Sequence, residues 1–227
     1  MARLAALPRL AGALAVLAAA TGCDGEVLRL GNCPPAPVSA SQVVWIGDSW
    51  VVRPGNQNTG VRDLAQAAGA IGPDDDYTID AADGTVIAQI AQQYTTQEGT
   101  ATKAKVLILD GGTLDTIMSN TSGTVTNVGD TFTQLLSTVA SDGTVTSVIY
   151  FLVPELPGVP GVASLRPVLR DACTQSTVPC FFLDLQPLWV GHPEYTDATT
   201  GIFPTATGGA VIADAIWGLM QSHCIAQ

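Results

Sequence analysis

A serine at the end of a short apolar run is the residue in this chain best placed to do chemistry. Residues 43–49 read VVWIGDS, so a continuous apolar stretch leads directly into Gly-Asp-Ser. A buried strand that ends in this way exposes the next side chain at the edge of a sheet, where Ser49 could act as a nucleophile. It would need a base to take its proton and donors to stabilise an oxyanion. Ser49 could equally cap a following helix.

The chain offers only two histidines as the base for such a serine. His192 lies in GHPEYTD with Asp197 five residues later, and a loop could bring this pair to Ser49 as base and orienter. GHP is also typical of an ordinary exposed turn. His223 stands beside Cys224, and we expect a surface residue there. The histidine and cysteine spacings do not suit metal ligation, so no metal and no other cofactor is expected.

Apolar runs alternate with helical patterns after residue 41. The predicted strands are residues 43–47, 77–80, 105–112, 147–154 and 180–186, and the predicted helices are residues 59–70, 84–94, 129–140, 162–173 and 205–221. Five alternations predict an α/β fold, a three-layer α/β/α sandwich around a five-stranded parallel sheet. Sites in such folds form at the carboxyl ends of strands, where Ser49, Gly111 and Gly112 fall.

Four short blocks in residues 42–222 resemble, in order, the motifs of SGNH (GDSL-type) hydrolases. Gly47-Asp48-Ser49 resembles the first block, which supplies the nucleophile, and Gly84 in DGTV stands where the second block directs a backbone N–H at the oxyanion. LDGGTLD (109–115) resembles the third block, G-x-N-D. TGIFPTATGGAVIADAIW (200–217) resembles the last, D-x-x-H-P followed by a helix. The resemblance implies the flavodoxin-like domain of exported esterases, lipases and glycan deacetylases.

Three positions that the resemblance makes catalytic hold other residues. Leu114 stands in place of the asparagine that donates to the oxyanion, and Thr200 and Phe203 stand in place of the aspartate and the histidine. Phe203 cannot accept a proton, and a serine hydrolase without its base loses on the order of 10⁶ in turnover. Losing one oxyanion donor typically lowers the rate by about 10²–10³. The sequence therefore predicts a catalytically impaired domain with an apolar cleft.

The five cysteines predict one lipid attachment and two disulfides. AATGC (19–23) is similar to a bacterial lipobox, which makes Cys23 the residue that would carry lipid. The remaining even number is typical of disulfides in an exported domain. Cys173 and Cys180 could close a small loop, and Cys33 and Cys224 could join the two ends of the domain. Free buried thiols are the alternative.

The first 22 residues are interpreted as a lipoprotein signal peptide. Arg3 and Arg9 precede LAGALAVLAAA, an apolar core that is too short to remain as a membrane span. Ordinary signal cleavage after residues 18–20 is the alternative. Residues 23–41 would form the lipidated N-terminus and a Pro-rich linker, and residues 42–227 the SGNH-like domain. The predicted location is the bacterial cell envelope, with the membrane contacted through the anchor.

The charge and composition of the chain also limit the classes of partner that it could bind. The formal net charge of −11 argues against a nucleic-acid partner, because phosphate binding needs clusters of Lys and Arg. We expect a monomer that binds an acyl group, an acylated glycan or a partner protein, with Trp50 as the tryptophan nearest to the ligand. Two other hypotheses remain open at this stage. One is an active serine esterase that uses Ser49 with a relocated base such as His192, and the other is a structural surface protein with a closed cleft.

Overall fold

The computed structural model of the protein describes residues 33, 38–52, 57–98 and 104–226. The predicted signal peptide, Cys23 and most of the linker lie outside the described residues. The strands are β1 (Val43–Ile46), β2 (Thr78–Ile79), β3 (Val106–Leu109), β4 (Ser147–Leu152) and β5 (Cys180–Asp184). The α-helices are α1 (Ser49–Val52), α2 (Gln57–Ala67), α3 (Ile87–Gln93), α4 (Thr113–Met118), α5 (Ser122–Asp142), α6 (Val162–Gln175), α7 (Gln186–Trp189) and α8 (Ala206–Ser222).

All five strands form one parallel sheet in the order β2-β1-β3-β4-β5. In the register of β1 against β3, Val43 lies beside Val106 and Ile46 beside Leu109, so these two strands end at the same level. The turns that follow β1 and β3 therefore meet at the carboxyl edge of the sheet. This confirms the predicted fold class and brings the Gly-Asp-Ser turn next to the turn that contains Gly111 and Gly112.

The central strands are buried on both faces. Every residue of β1 and β3 is buried, and so are the last five of β4, which explains why these runs are apolar throughout rather than alternating. Trp45 packs edge-on against Phe151, and Tyr150 contacts Phe132 of α5. The core therefore fills both spaces between the sheet and its helix layers, and it gives the sheet edge a rigid base.

The ten predicted elements are present, with two informative differences in their bounds. Helix α5 begins at Ser122 rather than near residue 129, because Thr121 caps it by accepting a hydrogen bond from the Thr124 N–H. Strand β3 ends at Leu109 rather than at residue 112, since Gly111 and Gly112 both adopt positive φ. The short helices α1, α4 and α7 were not predicted, because four to six residues are too few to show a helical period.

Both predicted disulfides are present. Cys173 is bonded to Cys180, and Cys33 is bonded to Cys224, which lies just after α8. Disulfides of this kind persist in oxidising environments outside the cytosol. In the part of the chain that the structure describes, no helix is both long and apolar enough to cross a bilayer.

Candidate functional site

Ser49 is the first residue of α1 and follows β1 after a two-residue turn. Gly47 in that turn has φ +139°, a conformation that side-chain-bearing residues rarely adopt. A methyl group at Gly47 would also collide with the Asp110 carboxylate. The glycine is therefore needed because the turn passes directly over the end of β3, and this close approach orients Ser49 toward the sheet edge.

Two buried side chains fix this turn from below. Asp110 Oδ1 accepts a hydrogen bond of 2.7 Å from the backbone N–H of Asp48. The Gln93 amide makes two hydrogen bonds to Gly47, accepting from its N–H at 2.8 Å and donating to its carbonyl at 3.1 Å. The turn that carries the serine is therefore fixed by β3 and α3 rather than by its own residues.

The Ser49 hydroxyl is surrounded by carboxylates. Its Oγ lies 2.6 Å from Asp83 Oδ1 and 2.9 Å from Asp48 Oδ1, and the Gly84 N–H points at it from 3.4 Å. Ser49 retains 9% of its exposure, so the hydroxyl sits in a nearly closed position. Because a hydroxyl carries one proton, it donates to one of the two carboxylates at a time.

The neighbouring carboxylates also organise the loop that contains Gly84. Asp48 Oδ1 accepts from the Thr85 N–H at 3.0 Å, and Asp115 Oδ2 accepts from the Ile87 N–H at 2.9 Å. Asp48 and Asp115 therefore bind backbone N–H groups on either side of Val86. They also keep Gly84 beside Ser49, where its N–H can act as an oxyanion donor.

Burial disfavours the negatively charged form of the ionisable side chains at this edge of the sheet. Removal from water, reinforced by the charge of Asp48, raises the pKa of Asp110 to about 8, although backbone N–H groups oppose the shift. Burial likewise raises the pKa of Asp115 and, well above its usual range, that of Tyr150. A pKa of about 8 favours the protonated form of Asp110 at neutral pH. Within the described residues its Oδ2 has no hydrogen-bond partner, and a neutral carboxyl is the form that such burial tolerates.

The three substituted positions carry no proton-transfer group. Leu114 is half-buried on α4, and half-buried Phe203 packs against the hydrophobic core. Thr200 Oγ1 donates to Asp197 Oδ2 at 3.1 Å, and the Phe203 carbonyl accepts from the Asp197 N–H at 2.8 Å. The loop that contains Thr200 and Phe203 is therefore organised by Asp197, which acts on its own loop backbone.

The proposed alternative base is engaged elsewhere. His192 Nδ1 lies 2.9 Å from Glu194 Oε1, and its ring stacks on Tyr195 with a centroid distance of 4.5 Å. Asp197 instead accepts hydrogen bonds from the Thr199 N–H and from the Thr200 hydroxyl. The carboxylate that His192 contacts is therefore that of Glu194, not that of Asp197. His223 is exposed and contacts Phe181, in agreement with its predicted surface position.

A groove of about 470 Å³ lies beside this loop. Its lining includes Leu156, Pro157, Trp189 and His192. Trp189 separates the groove from Trp50, since the two indoles pack with centroids 5.9 Å apart. The expectation that Trp50 faces a ligand is wrong: it is only 3% exposed, because the one-turn helix α1 directs it inward against Trp189.

Among the described residues, no group of three or more His, Cys, Asp or Glu side chains is arranged to hold a metal ion. The carboxylates around Ser49 instead act on a hydroxyl and on backbone N–H groups. Sequence reasoning missed Asp83 and Asp110. Their only signal was position, since Asp83 directly precedes Gly84 and Asp110 directly follows the buried run of β3.

Comparison with known proteins identifies the fold. The chain is similar to a lipase/acylhydrolase from Enterococcus faecalis, with a TM-score of 0.65 and 14% identity over 80% of this chain and 95% of that one. It is also similar to a carbohydrate esterase family 3 protein from Talaromyces cellulolyticus, with a TM-score of 0.64 and 16% identity over 80% and 96% of the two chains. An acetyl xylan esterase matches with a TM-score of 0.63 and 14% identity over 78% and 98%.

These matches confirm the SGNH hydrolase-like fold that the four sequence blocks predicted. No protein-family model matches the chain. None of the curated proteins matches it in sequence either.

Proposed function

We propose that the protein is an exported lipoprotein whose SGNH-like domain binds an acyl group or an acylated glycan, and in which histidine-driven ester hydrolysis has been lost. One observation carries this proposal. The Ser49 hydroxyl contacts two carboxylates and the Gly84 N–H, and no histidine is among these contacts. The sequence resemblance, which aligns Phe203 with the family's base, supports the same proposal. An unactivated serine hydroxyl is a weak nucleophile, so the domain would retain its cleft and lose rapid turnover.

The charges beside Ser49 limit the chemical class of the ligand. Asp48 and Asp83 both face the Ser49 hydroxyl, so a free carboxylate or phosphate would meet like charge there. A neutral ester, such as an acetylated sugar or an acyl ester, avoids that repulsion. Two of the similar structures are a lipase/acylhydrolase and an acetyl xylan esterase, which supports the choice of an acylated ligand.

The chemical test is labelling with a fluorophosphonate probe, read as intact mass. The exported protein, produced with its own first 22 residues, is compared with its Ser49→Ala variant and with an active serine esterase. We expect no stoichiometric labelling in the time that the esterase control needs for completion. Labelling at the control's rate that disappears in Ser49→Ala would refute the loss of hydrolysis.

The binding test uses acetylated and deacetylated xylo-oligosaccharides in titration calorimetry. We expect the acetylated form to bind more tightly, and the bulkier Ser49→Met variant to bind it less well than the wild-type protein does. Ser141→Met, at an exposed position on α5, is the matched control. Equal affinity for the two sugars would show that the acetyl group is not recognised. An unchanged affinity in Ser49→Met would show that the sugar does not bind beside Ser49.

The lipid anchor is tested separately. Mass spectrometry of the N-terminal peptide should show a diacylglyceryl group on Cys23, and the wild-type protein should fractionate with membranes. The Cys23→Ala variant should lose both properties. An unmodified N-terminus that begins at residue 21 would indicate ordinary signal cleavage instead.

An active esterase with a relocated base is the alternative function. His192 could serve as that base only after leaving Glu194 and Tyr195, which its ring contacts. If the fluorophosphonate labels Ser49 rapidly, His192→Ala decides between the two bases. A loss of labelling in that variant would assign the role to His192.

A further inference from the structure

Asp83 makes the shortest contact to the Ser49 hydroxyl. Its Oδ1 lies 2.6 Å from Ser49 Oγ, although the two residues are 34 positions apart in the chain. This distance is within the range of a charge-assisted O–H···O bond. It is also the geometry that a general base needs with the proton that it removes.

Asp48 lies nearly as close but is less suited to proton transfer. Its side chain is only 5% exposed, so it has little access to solvent or to a leaving group. Asp83 is exposed and lies directly beside the Ser49 hydroxyl. A base there can reach the departing alcohol of an ester and also water, which Asp48 in its buried position cannot.

We infer that Asp83 is the general base for Ser49 and that the pair forms a slow acyl acceptor. The Asp83 carboxylate takes the hydroxyl proton while Ser49 Oγ forms a bond to the ester carbonyl carbon. The Gly84 N–H donates to the resulting oxyanion. The bond to the leaving alcohol then breaks, and the alkoxide takes the proton from Asp83. The product is acyl-Ser49 plus the free alcohol. Water then attacks the acyl carbon while Asp83 accepts its proton, the bond between that carbon and Ser49 Oγ breaks, and Ser49 Oγ takes the proton from Asp83. The free acid is released.

This inference goes beyond the proposed function and is tested apart from it. A carboxylate is a much weaker base than an imidazole, and Leu114 supplies no oxyanion donor, so the acylation would be slow. Slow acylation is compatible with a domain that has lost histidine-driven turnover. If acylation is not found while the acetylated sugar still binds, only the Asp83 inference falls. If fluorophosphonate labelling is as fast as in the esterase control, the proposed function falls.

The test is acetylation of the exported protein by p-nitrophenyl acetate, followed by intact mass over hours and by peptide mapping. We expect an acetyl group on Ser49 that is absent in Ser49→Ala. Asp83→Asn should acylate at least about 100-fold more slowly. Asp130→Asn, an exposed change on α5, should acylate at the wild-type rate. A wild-type rate in Asp83→Asn, or no acetyl-Ser49 in the wild-type protein, would overturn the inference.

Chemical rescue keeps the result independent of folding. The Asp83→Ala variant should recover part of its acylation rate when formate is added, because formate can occupy the space left by the carboxylate. Asp83→Glu should recover part of the rate without formate. A variant that remains folded by circular dichroism and responds to neither change would count against Asp83 as the base.

The pH profile separates a carboxylate base from an imidazole base. An unperturbed imidazole loses its proton-accepting form near pH 6.5, so a base of that kind would show a loss of rate there. We expect wild-type acylation to persist at pH 5.5. The other carboxyls at this edge are those of Asp48, Asp110 and Asp115, so the profile is repeated in Asp110→Asn. If the wild-type rate falls with a midpoint near pH 6.5, and the His192→Ala variant no longer shows this pH dependence, His192 is the base instead.

Discussion

Asp110 Oδ1 accepts a hydrogen bond of 2.7 Å from the backbone N–H of Asp48, so the residue that directly follows β3 holds the turn that presents Ser49. The two positions are 62 residues apart and meet because β1 and β3 are neighbours in the sheet. The carboxyl that makes this bond is fully buried. The position of the serine therefore depends on a buried ionisable group as well as on the two hydrogen bonds from Gln93.

Stability should fall as the pH rises toward alkaline values. Burial raises the pKa of Asp110 from 3.8 to about 8, so between these values the folded chain keeps a proton that the unfolded chain has released. The stabilisation is complete below about pH 4 and is lost as the pH rises through about 8. Asp110→Asn should flatten the decline in unfolding free energy between pH 5 and 9, measured by urea denaturation. Asp130→Asn is the exposed control, and parallel curves for all three proteins would contradict the assignment to Asp110.

Gly47→Ala should be strongly destabilising. The added methyl group would collide with the Asp110 carboxylate, and φ +139° is strained for alanine, so we expect a loss of roughly 3 kcal/mol or more in unfolding free energy. Gly69→Ala is the matched control, because Gly69 also has positive φ but has open space around it. It should lose only about 1–2 kcal/mol. Equal losses in the two variants would show that backbone conformation, rather than the contact with Asp110, limits position 47.

The two disulfides should contribute unequally to stability. The bond between Cys33 and Cys224 spans 191 positions, and the bond between Cys173 and Cys180 spans 7. Loop-closure entropy predicts losses of about 5 and about 2.5 kcal/mol when each pair is changed to serine. Guanidinium denaturation of the two double variants measures both losses. A larger loss for the short loop would show that local packing around Cys173 outweighs chain entropy.

Restoring the family's base should restore reactivity at Ser49. In Thr200→Asp/Phe203→His, an imidazole would again be available to take the serine proton, and we expect fluorophosphonate labelling to accelerate by about 100-fold or more. Phe203→Leu is the control for the loss of the aromatic ring alone, and Ser49→Ala in the restored background should abolish labelling. If the folded double variant gains nothing, positions 200 and 203 do not direct their side chains at Ser49.

The sequence predicted those parts of the fold that depend on continuous patterns. The apolar runs of β1, β3 and β4 are visible because parallel strands are buried on both faces, and the Gly-Asp-Ser turn directly follows the first of them. Glycine-rich blocks at the ends of the strands predicted the correct sheet edge. The even number of cysteines predicted disulfides, and the positions of the cysteines suggested the two pairs without determining them.

The sequence could not predict contacts between distant loops. Asp83 meets Ser49 across 34 positions and Gln93 meets Gly47 across 46, and no local pattern indicates either contact. The inward direction of Trp50 was missed for a related reason. A helix of one turn has no periodicity from which a buried face can be inferred, and only the position of Trp189 in the folded chain decides it.

The bond between Cys33 and Cys224 also fixes where the first described residue joins the domain. Cys224 follows the carboxyl end of α8, where His223 contacts Phe181 near the beginning of β5. Cys33 is thus attached toward the amino edge of the sheet, whereas Ser49 lies at the carboxyl edge. Under the proposed lipid attachment at Cys23, the anchor would join the domain at the edge of the sheet opposite to the serine.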